Sequence, residues 1–471
     1  MYTRASVRRE AGASLSLATP IIAAQLSIMG MGAVDTIMAG RYSGAALAAV
    51  AVGANLWFLP FVFFMGLFMA VSPVVAHHVG ARKPDKQIGD FSRGAMLMAL
   101  IVGVLWMIAA KWLSPLVVTR LGLHEQTEAY ALGYLAAVSW AAPVFAVGFV
   151  LRSTAEGRGV SRAVMLAGVV AFPLNALFDW LLMYGHWGFP RLGPTGCGVA
   201  TALSSVVMLA AYLFAFARWR SLRSLQVLRL EPARFNGAIV REILRLGLPI
   251  AFILSAEASL FQVSALLMAR FGEIAVAAHQ VAINFAAVCF MVPMSLGMAT
   301  TVRVGQAAGA GEPREARMRG FVGIGLGLSS ALLSAAIMLF FPAVVVAIYT
   351  DVPEVADMAI RFLGIAAVFQ VFDCLQATAN GALRGLKDTR VPMLLTVAAY
   401  WMIGMGVAIG TAFWAGVGPM GLWWGLVAGL AAAAVGLNLR FARRSEHLYG
   451  YELAVAFGLG KPVRVAALPR D

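Results

Sequence analysis

Residues 17–41 read LATPIIAAQLSIMGMGAVDTIMAGR, and residues 246–270 read LGLPIAFILSAEASLFQVSALLMAR. Each is an apolar run of roughly the 20 residues a membrane-crossing helix needs. Each has an early proline (Pro20, Pro249), one acid (Asp35, Glu257) and a closing arginine (Arg41, Arg270). A charged side chain in hydrocarbon costs about 2.5–3.5 kcal/mol even on the lenient insertion scale. Two matching segments that each keep one acid point to acids that are used.

The composition outside these runs carries the same message. Of 471 residues, 61% are hydrophobic and 12% charged, against about 25% charged in soluble domains. Apolar runs of spanning length recur along nearly the whole chain, which excludes a soluble globular protein. The short alternating strands of a β-barrel are missing. The formal net charge of +14 reads as membrane topology, so no nucleic-acid partner is expected. Cys197, Cys289 and Cys374 lie in apolar runs without paired spacing, which indicates neither disulfides nor a cysteine metal site. The basic start, MYTRASVRREAGAS, runs into an apolar segment without a cleavage signal and reads as an uncleaved first span.

Twelve spans can be drawn, at about 14–40, 46–79, 95–119, 130–151, 163–184, 197–217, 246–271, 275–308, 320–349, 358–383, 391–415 and 419–439. With the N-terminus in the cytoplasm, only six of the 36 Lys and Arg residues (Arg41, Lys111, Arg120, Arg191, Arg270, Arg361) fall on the far side. That asymmetry is the one expected of cytoplasmic loops, so both termini are expected inside.

The halves repeat. At a constant offset, Pro20 matches Pro249, Arg41 matches Arg270, Asn55 matches Asn284 and Pro84 matches Pro313, and residues 20–84 match 249–313 at 18 of 65 positions without a gap. LGPTG at 192–196 returns as VGPMG at 417–421. Six spans is an even number, so both copies enter the membrane from the same side, the parallel case of internal repeat. The expected fold is an all-α polytopic membrane protein, with twelve transmembrane helices in two six-helix bundles around a central cleft. The expected division is an N-lobe at 1–217, a cytoplasmic linker at 218–245, a C-lobe at 246–442 and a cytoplasmic tail at 443–471. The linker, rich in arginine and leucine, reads as an amphipathic helix on the inner leaflet or a docking site for a partner.

Four of the 22 acids fall inside these spans: Asp35, Asp179, Glu257 and Asp373. In FPLNALFDW, Asn175 and Asp179 are four apart on one helical face; with Asp35 and Thr201 they offer carboxylate, amide and hydroxyl oxygens. Such a set suits a hard cation such as Na⁺, and a carboxylate inside a membrane can alternatively take up a proton. In the second half, Glu257 and Asp373 are accompanied by Gln280 and Asn284, with Gln262, Gln370, Gln376 and Asn380 nearby in sequence. Asparagine and glutamine in spans also serve as interhelical hydrogen-bonding groups. Trp57, Phe61, Phe64, Phe285, Phe290 and Met291 could line an adaptable surface for bulky cations. No nucleophile–base set, metal-ligand spacing or P-loop is found, so neither an enzyme nor an ATPase is expected.

DTIMAGR at 35–41, the PDKQ loop after the second span, LRSTAEGRG at 151–159 and LRGLKDTRVPM at 383–393, in this order, resemble the multidrug and toxic compound extrusion (MATE) family, in its bacterial NorM-type branch. The resemblance covers about residues 10 to 442. It implies a secondary antiporter of the bacterial inner membrane that exports organic cations against entry of Na⁺ or H⁺, with no other cofactor. It implies an N-lobe cation site at Asp35, Asn175, Asp179 and Thr201, and C-lobe acids at Glu257 and Asp373. Phe369 stands where some NorM-type proteins carry a tyrosine. Membrane lipids are the expected surroundings and a monomer the expected state. The rival within transport is a flippase for lipid-linked oligosaccharides, which would need a basic cleft, whereas every clear intramembrane charge reads as acidic, the Lys and Arg residues falling at or near the membrane faces. Pro20 would let the first helix bend, or else sit harmlessly in its first turn.

Overall fold

The computed structural model describes residues 3–229 and 236–456, with side chains through Leu448. Among the described residues there is no strand. Eleven helices are long and apolar enough to cross a membrane: Arg4–Tyr42, Gly44–Gly80, Asp85–Leu121, Arg162–Tyr184, Pro194–Arg218, Gly237–Phe271, Glu273–Gly309, Pro313–Phe340, Pro353–Gly385, Arg390–Trp414 and Pro419–Leu448. A bent pair, Glu125–Val138 and Ala141–Gly157, supplies the twelfth as the fourth span.

Local chemistry sets where these helices begin, bend and end. Ser43 separates the first two helices and caps the second, its hydroxyl accepting from the Ala46 amide at 3.0 Å. The two repeat motifs are built alike. Gly193 (φ 57°) and Gly418 (φ 73°) take the left-handed conformation that favours glycine, and Pro194 and Pro419 then open the sixth and twelfth helices. The fourth span bends by 43° just before Pro143, which cannot donate the hydrogen bond a helix would place there.

Other boundaries differ from the sequence reading. The ninth span ends at Phe340 because Pro342 starts a separate short helix, Pro342–Ala347. Among the described residues of the interval 218–245 there is one short helix, Arg220–Arg223, with Leu222, Leu225 and Val227 buried, and from Gly237 the chain already belongs to the seventh helix. The twelfth helix continues through Ala456; the rest of the expected tail, 457–471, lies outside the described residues.

The chain forms two compact units. One contains Thr19–Val75 and Lys83–Ala251, the other Met1–Ala18, Ala76–Arg82 and Phe252–Asp471. Two short pieces of the first half therefore belong with the second, and the start of the seventh helix belongs with the first. In the first-half unit a core forms around Trp57, Trp106, Tyr134, Val138 and Met183. In the other unit it forms around Phe362, Tyr400, Trp423, Leu426 and Phe441. Small residues allow the helices to approach closely. A β-carbon on Gly66 would lie 2.6 Å from the Ala251 Cα, and one on Gly297 2.9 Å from the Ala377 carbonyl oxygen.

Candidate functional site

In the first-half unit, Asp35 on the first helix meets Thr201 on the sixth, whose hydroxyl donates to its carboxylate at 3.2 Å. The same hydroxyl lies 3.1 Å from the carbonyl oxygen of Cys197, one turn earlier. Asp179, on the fifth helix, is fully buried. The carboxylates of Asp179 and Asp35 and the Cys197 thiol lie close, with one ligand atom from each within 4.8 Å of the others. Asn175, one turn before Asp179 and 1% exposed, sits beside Asp35. All four residues read as the N-lobe cation site are thus brought together.

Their polar atoms are under-satisfied. Both carboxylate oxygens of Asp179, the Oδ1 of Asp35 and the Oδ1 of Asn175 are buried without a hydrogen-bond partner among the described residues. Unpaired polar atoms of this kind are costly. The arrangement gathers unpartnered oxygens close together, a set that suits a small cation or a proton. The sequence reading missed two neighbours. Cys197 sits four residues before Thr201 in GCGVAT, a spacing that places it on the same helical face. Tyr134, buried on the bent fourth span, faces Asp35, Asp179 and Cys197; its helix face gave no signal in the sequence.

The second-half unit builds a different cluster. Gln376 on the tenth helix spans three groups: its Nε2 lies 2.7 Å from the Tyr400 hydroxyl and 3.4 Å from the Glu257 carboxylate, and its Oε1 accepts from Asn380 at 2.6 Å. Asp373, one turn before, is 3% exposed and near enough to Glu257 for their charges to interact; its Oδ1 has no hydrogen-bond partner among the described residues. Tyr400 lies in a π-helical stretch, Ala399–Gly404, a helix irregularity often found at functional sites. Glu257 and Asp373 are brought together. Gln280 and Asn284 are exposed and take part in no hydrogen bond of this cluster. Phe369 is 2% exposed and packs edge-on against Phe261 and Trp423, so its position is part of the apolar wall.

The sequence reading that all clear intramembrane charges are acidic needs correction. Arg384 lies inside the tenth helix, Pro353–Gly385, and interacts with Glu257. Arg152, 6% exposed, bonds Glu156 at 2.9 Å and Gln25 at 2.8 Å. Arg303 grips Glu10 with two bonds of 2.7 and 2.5 Å, and Arg319 adds a third contact to Glu10 at 3.5 Å. These groups sit at or near the ends of the drawn spans, so sequence alone assigned them to loops. Arg152, Arg303 and Arg319 each contact an acid, whereas the Nε of Arg384 is buried without a hydrogen-bond partner among the described residues.

Trp57 stacks on Trp106 with ring centres 4.3 Å apart, and Phe64 packs on Trp106 at 4.9 Å. Together with Leu105 and Leu113 they bound an apolar cavity of about 470 Å³ in the first-half unit.

Known proteins share both the repeat and the fold. The MatE family matches residues 20–181 and 249–409, two stretches that open on the repeated prolines. The multidrug resistance protein PmpM of Pseudomonas aeruginosa is 40% identical over 446 residues, covering 93% of each chain. The multidrug resistance protein NorM of Vibrio vulnificus is 37% identical over 442 residues, covering 92% of this chain and 95% of its own. Among solved structures, an outward-facing multidrug resistance MATE family transporter of the MOP superfamily superimposes with a TM-score of 0.85 at 21% identity, over 94% of this chain and 97% of the other. With both repeats matched by the family and relatives aligned along nearly its whole length, the chain belongs to the MatE family, the multidrug and toxic compound extrusion family that its sequence resembles.

Proposed function

We propose that this chain is a multidrug efflux antiporter of the bacterial inner membrane that exports organic cations in exchange for inward flow of Na⁺ or H⁺, working by alternating access with both termini in the cytoplasm. The observation that carries the reading is the pair of buried carboxylates, Asp35 and Asp179, which lie close together beside Thr201 and Asn175 with oxygens that have no hydrogen-bond partner among the described residues. A cation entering there neutralises charge inside the membrane, and an arriving charge of either kind shifts the balance between two conformations by its differential affinity for them. Glu257 and Asp373 form the second acidic cluster, the C-lobe candidate for cation or substrate. The named relatives support the substrate class. Two buried acids, Glu257 and Asp373, against one nearby arginine, Arg384, favour cations over a pyrophosphate-linked lipid. No cofactor beyond the coupling ion, no nucleic acid and no second subunit enters this mechanism, and no bond of the substrate is made or broken.

The test is accumulation of a fluorescent organic cation in cells and in proteoliposomes. Expression is expected to lower accumulation in cells, collapse of the ion gradient to restore it, and Asp35→Asn to abolish the difference. Imposed Na⁺ and pH gradients in proteoliposomes, applied separately, identify the coupling ion. Accumulation unchanged by expression and insensitive to Asp35→Asn would sink the reading.

A further inference from the structure

The oxygen set of the first-half cluster includes one neighbouring atom that a hard coupling cation does not want. The Cys197 thiol is fully buried and its sulfur lies within 4.8 Å of a carboxylate oxygen from each of Asp35 and Asp179. A soft sulfur is a poor ligand for Na⁺ and a strong one for thiophilic metals, whereas carboxylates accept both. Both oxygens of Asp179 and one of Asp35 are buried and unpartnered, so they are free to turn toward an ion. Zinc binds thiolate sulfur at about 2.3 Å and carboxylate oxygen at about 2.0–2.2 Å, which brings three ligands within roughly 4 Å of one another. The side chains therefore need to close by about an ångström or less, a rotamer-scale movement. Asn175 Oδ1, also unpartnered, and water complete the usual four positions.

We propose that Asp35, Asp179 and Cys197 form a binding site for a thiophilic divalent cation of the zinc and cadmium class, and that such an ion occupies the space of the coupling cation and arrests transport. On binding, the thiol gives its proton to solvent and the thiolate takes one coordination position. The arrest rests on the coupling role proposed above; the binding does not.

The experiment uses the full-length protein purified in detergent in metal-free buffer, titrated with Cd²⁺ alone and followed by the thiolate-to-cadmium absorption band in the ultraviolet. The expected result is a band that saturates at one ion per chain, is lost in Cys197→Ala and Cys197→Ser, and survives in a Cys289→Ala/Cys374→Ala double variant. Asp179→Asn is expected to weaken binding at least tenfold, and thermal melting of each variant shows that it is folded. A band that persists without Cys197, or no band in the natural sequence, overturns the site. Transport separates the two readings. Saturable binding with unimpaired gradient-driven transport in Cd²⁺ keeps the site and removes the coupling role. Transport abolished by Asp35→Asn in a protein that binds no Cd²⁺ keeps the coupling role and removes the site.

Discussion

Thr201 and Asp35 stand 166 residues apart in the chain, yet the threonine hydroxyl lies 3.2 Å from the aspartate carboxylate. The bond joins the sixth helix to the first and leaves the other oxygen of Asp35 without a partner. It orients one oxygen while the second stays available.

That division of labour makes Thr201 a positioning group for the coupling cation. A hydrogen bond to a charged group is worth about 1.5–3 kcal/mol, which corresponds to roughly a ten- to hundredfold change in affinity. Thr201→Val is expected to raise the Na⁺ or H⁺ concentration for half-maximal transport in proteoliposomes by that factor, while Thr201→Ser stays near the natural value. Equal behaviour of the two variants would place the hydroxyl outside the cation's surroundings.

In the second cluster, Tyr400→Phe removes the hydroxyl that lies 2.7 Å from the Gln376 amide nitrogen. Leaving a buried donor unsatisfied costs about 1–3 kcal/mol. A lower melting temperature in detergent is expected, together with loss of the constraint that holds Gln376 beside Glu257. A variant that melts with the natural protein would show that water or Glu257 takes over the bond.

Glu10 receives both Arg303 and Arg319, and its own side chain is 5% exposed. Breaking such a group by removing one partner leaves buried charge uncompensated. Glu10→Ala is expected to destabilise more than Arg303→Ala, because it strands two guanidinium groups. The double variant is expected to lose less than the sum of the two, since partners in one network are not additive. Additive losses in the melting curves would show that the three groups act independently.

Two glycines of the second-half unit separate packing from propensity. Gly297→Val would drive a side chain against the Ala377 carbonyl, and the facing element is backbone that cannot swing aside. Loss of folded, monodisperse protein is expected. A β-carbon on Gly364 would meet nothing within 4 Å, so Gly364→Ala is expected to be neutral or to gain up to about 1 kcal/mol from helix propensity. Size-exclusion profiles and yields compare the pair directly.

Much of this arrangement was legible in the residues. The spans are written in length and hydropathy, and the repeat is written in Pro20, Pro249 and the two glycine–proline helix starts. Asp35, Asp179, Asn175 and Thr201 stood out because acids and their helical neighbours are rare in apolar runs. Cys197 and Tyr134 did not, since a cysteine or tyrosine in a hydrophobic helix usually packs, and only the folding of several helices together puts them beside the acids. Arg384 and Glu10 were hidden for another reason. Hydropathy ends a span where charge begins, so charges buried by partners just beyond that point are assigned to loops. Gln280 and Asn284, grouped with the acids by sequence, are left exposed outside the hydrogen-bonded cluster, a placement that depends on how the helices pack and is not written in the residues themselves.

The compact units exchange short pieces of chain: Met1–Ala18 and Ala76–Arg82 lie with the second half, and the chain up to Ala251 lies with the first. The interval 218–245, which sequence reads as the tether between lobes, is contained within one unit. Covalent continuity between the units runs instead through the chain at 18–19, 75–76, 82–83 and 251–252. A protease cut introduced between Arg229 and Asn236 would therefore not release two lobes. Each fragment would keep a segment embedded in the other's fold, and the nicked protein is expected to run as one particle in mild detergent until it is denatured.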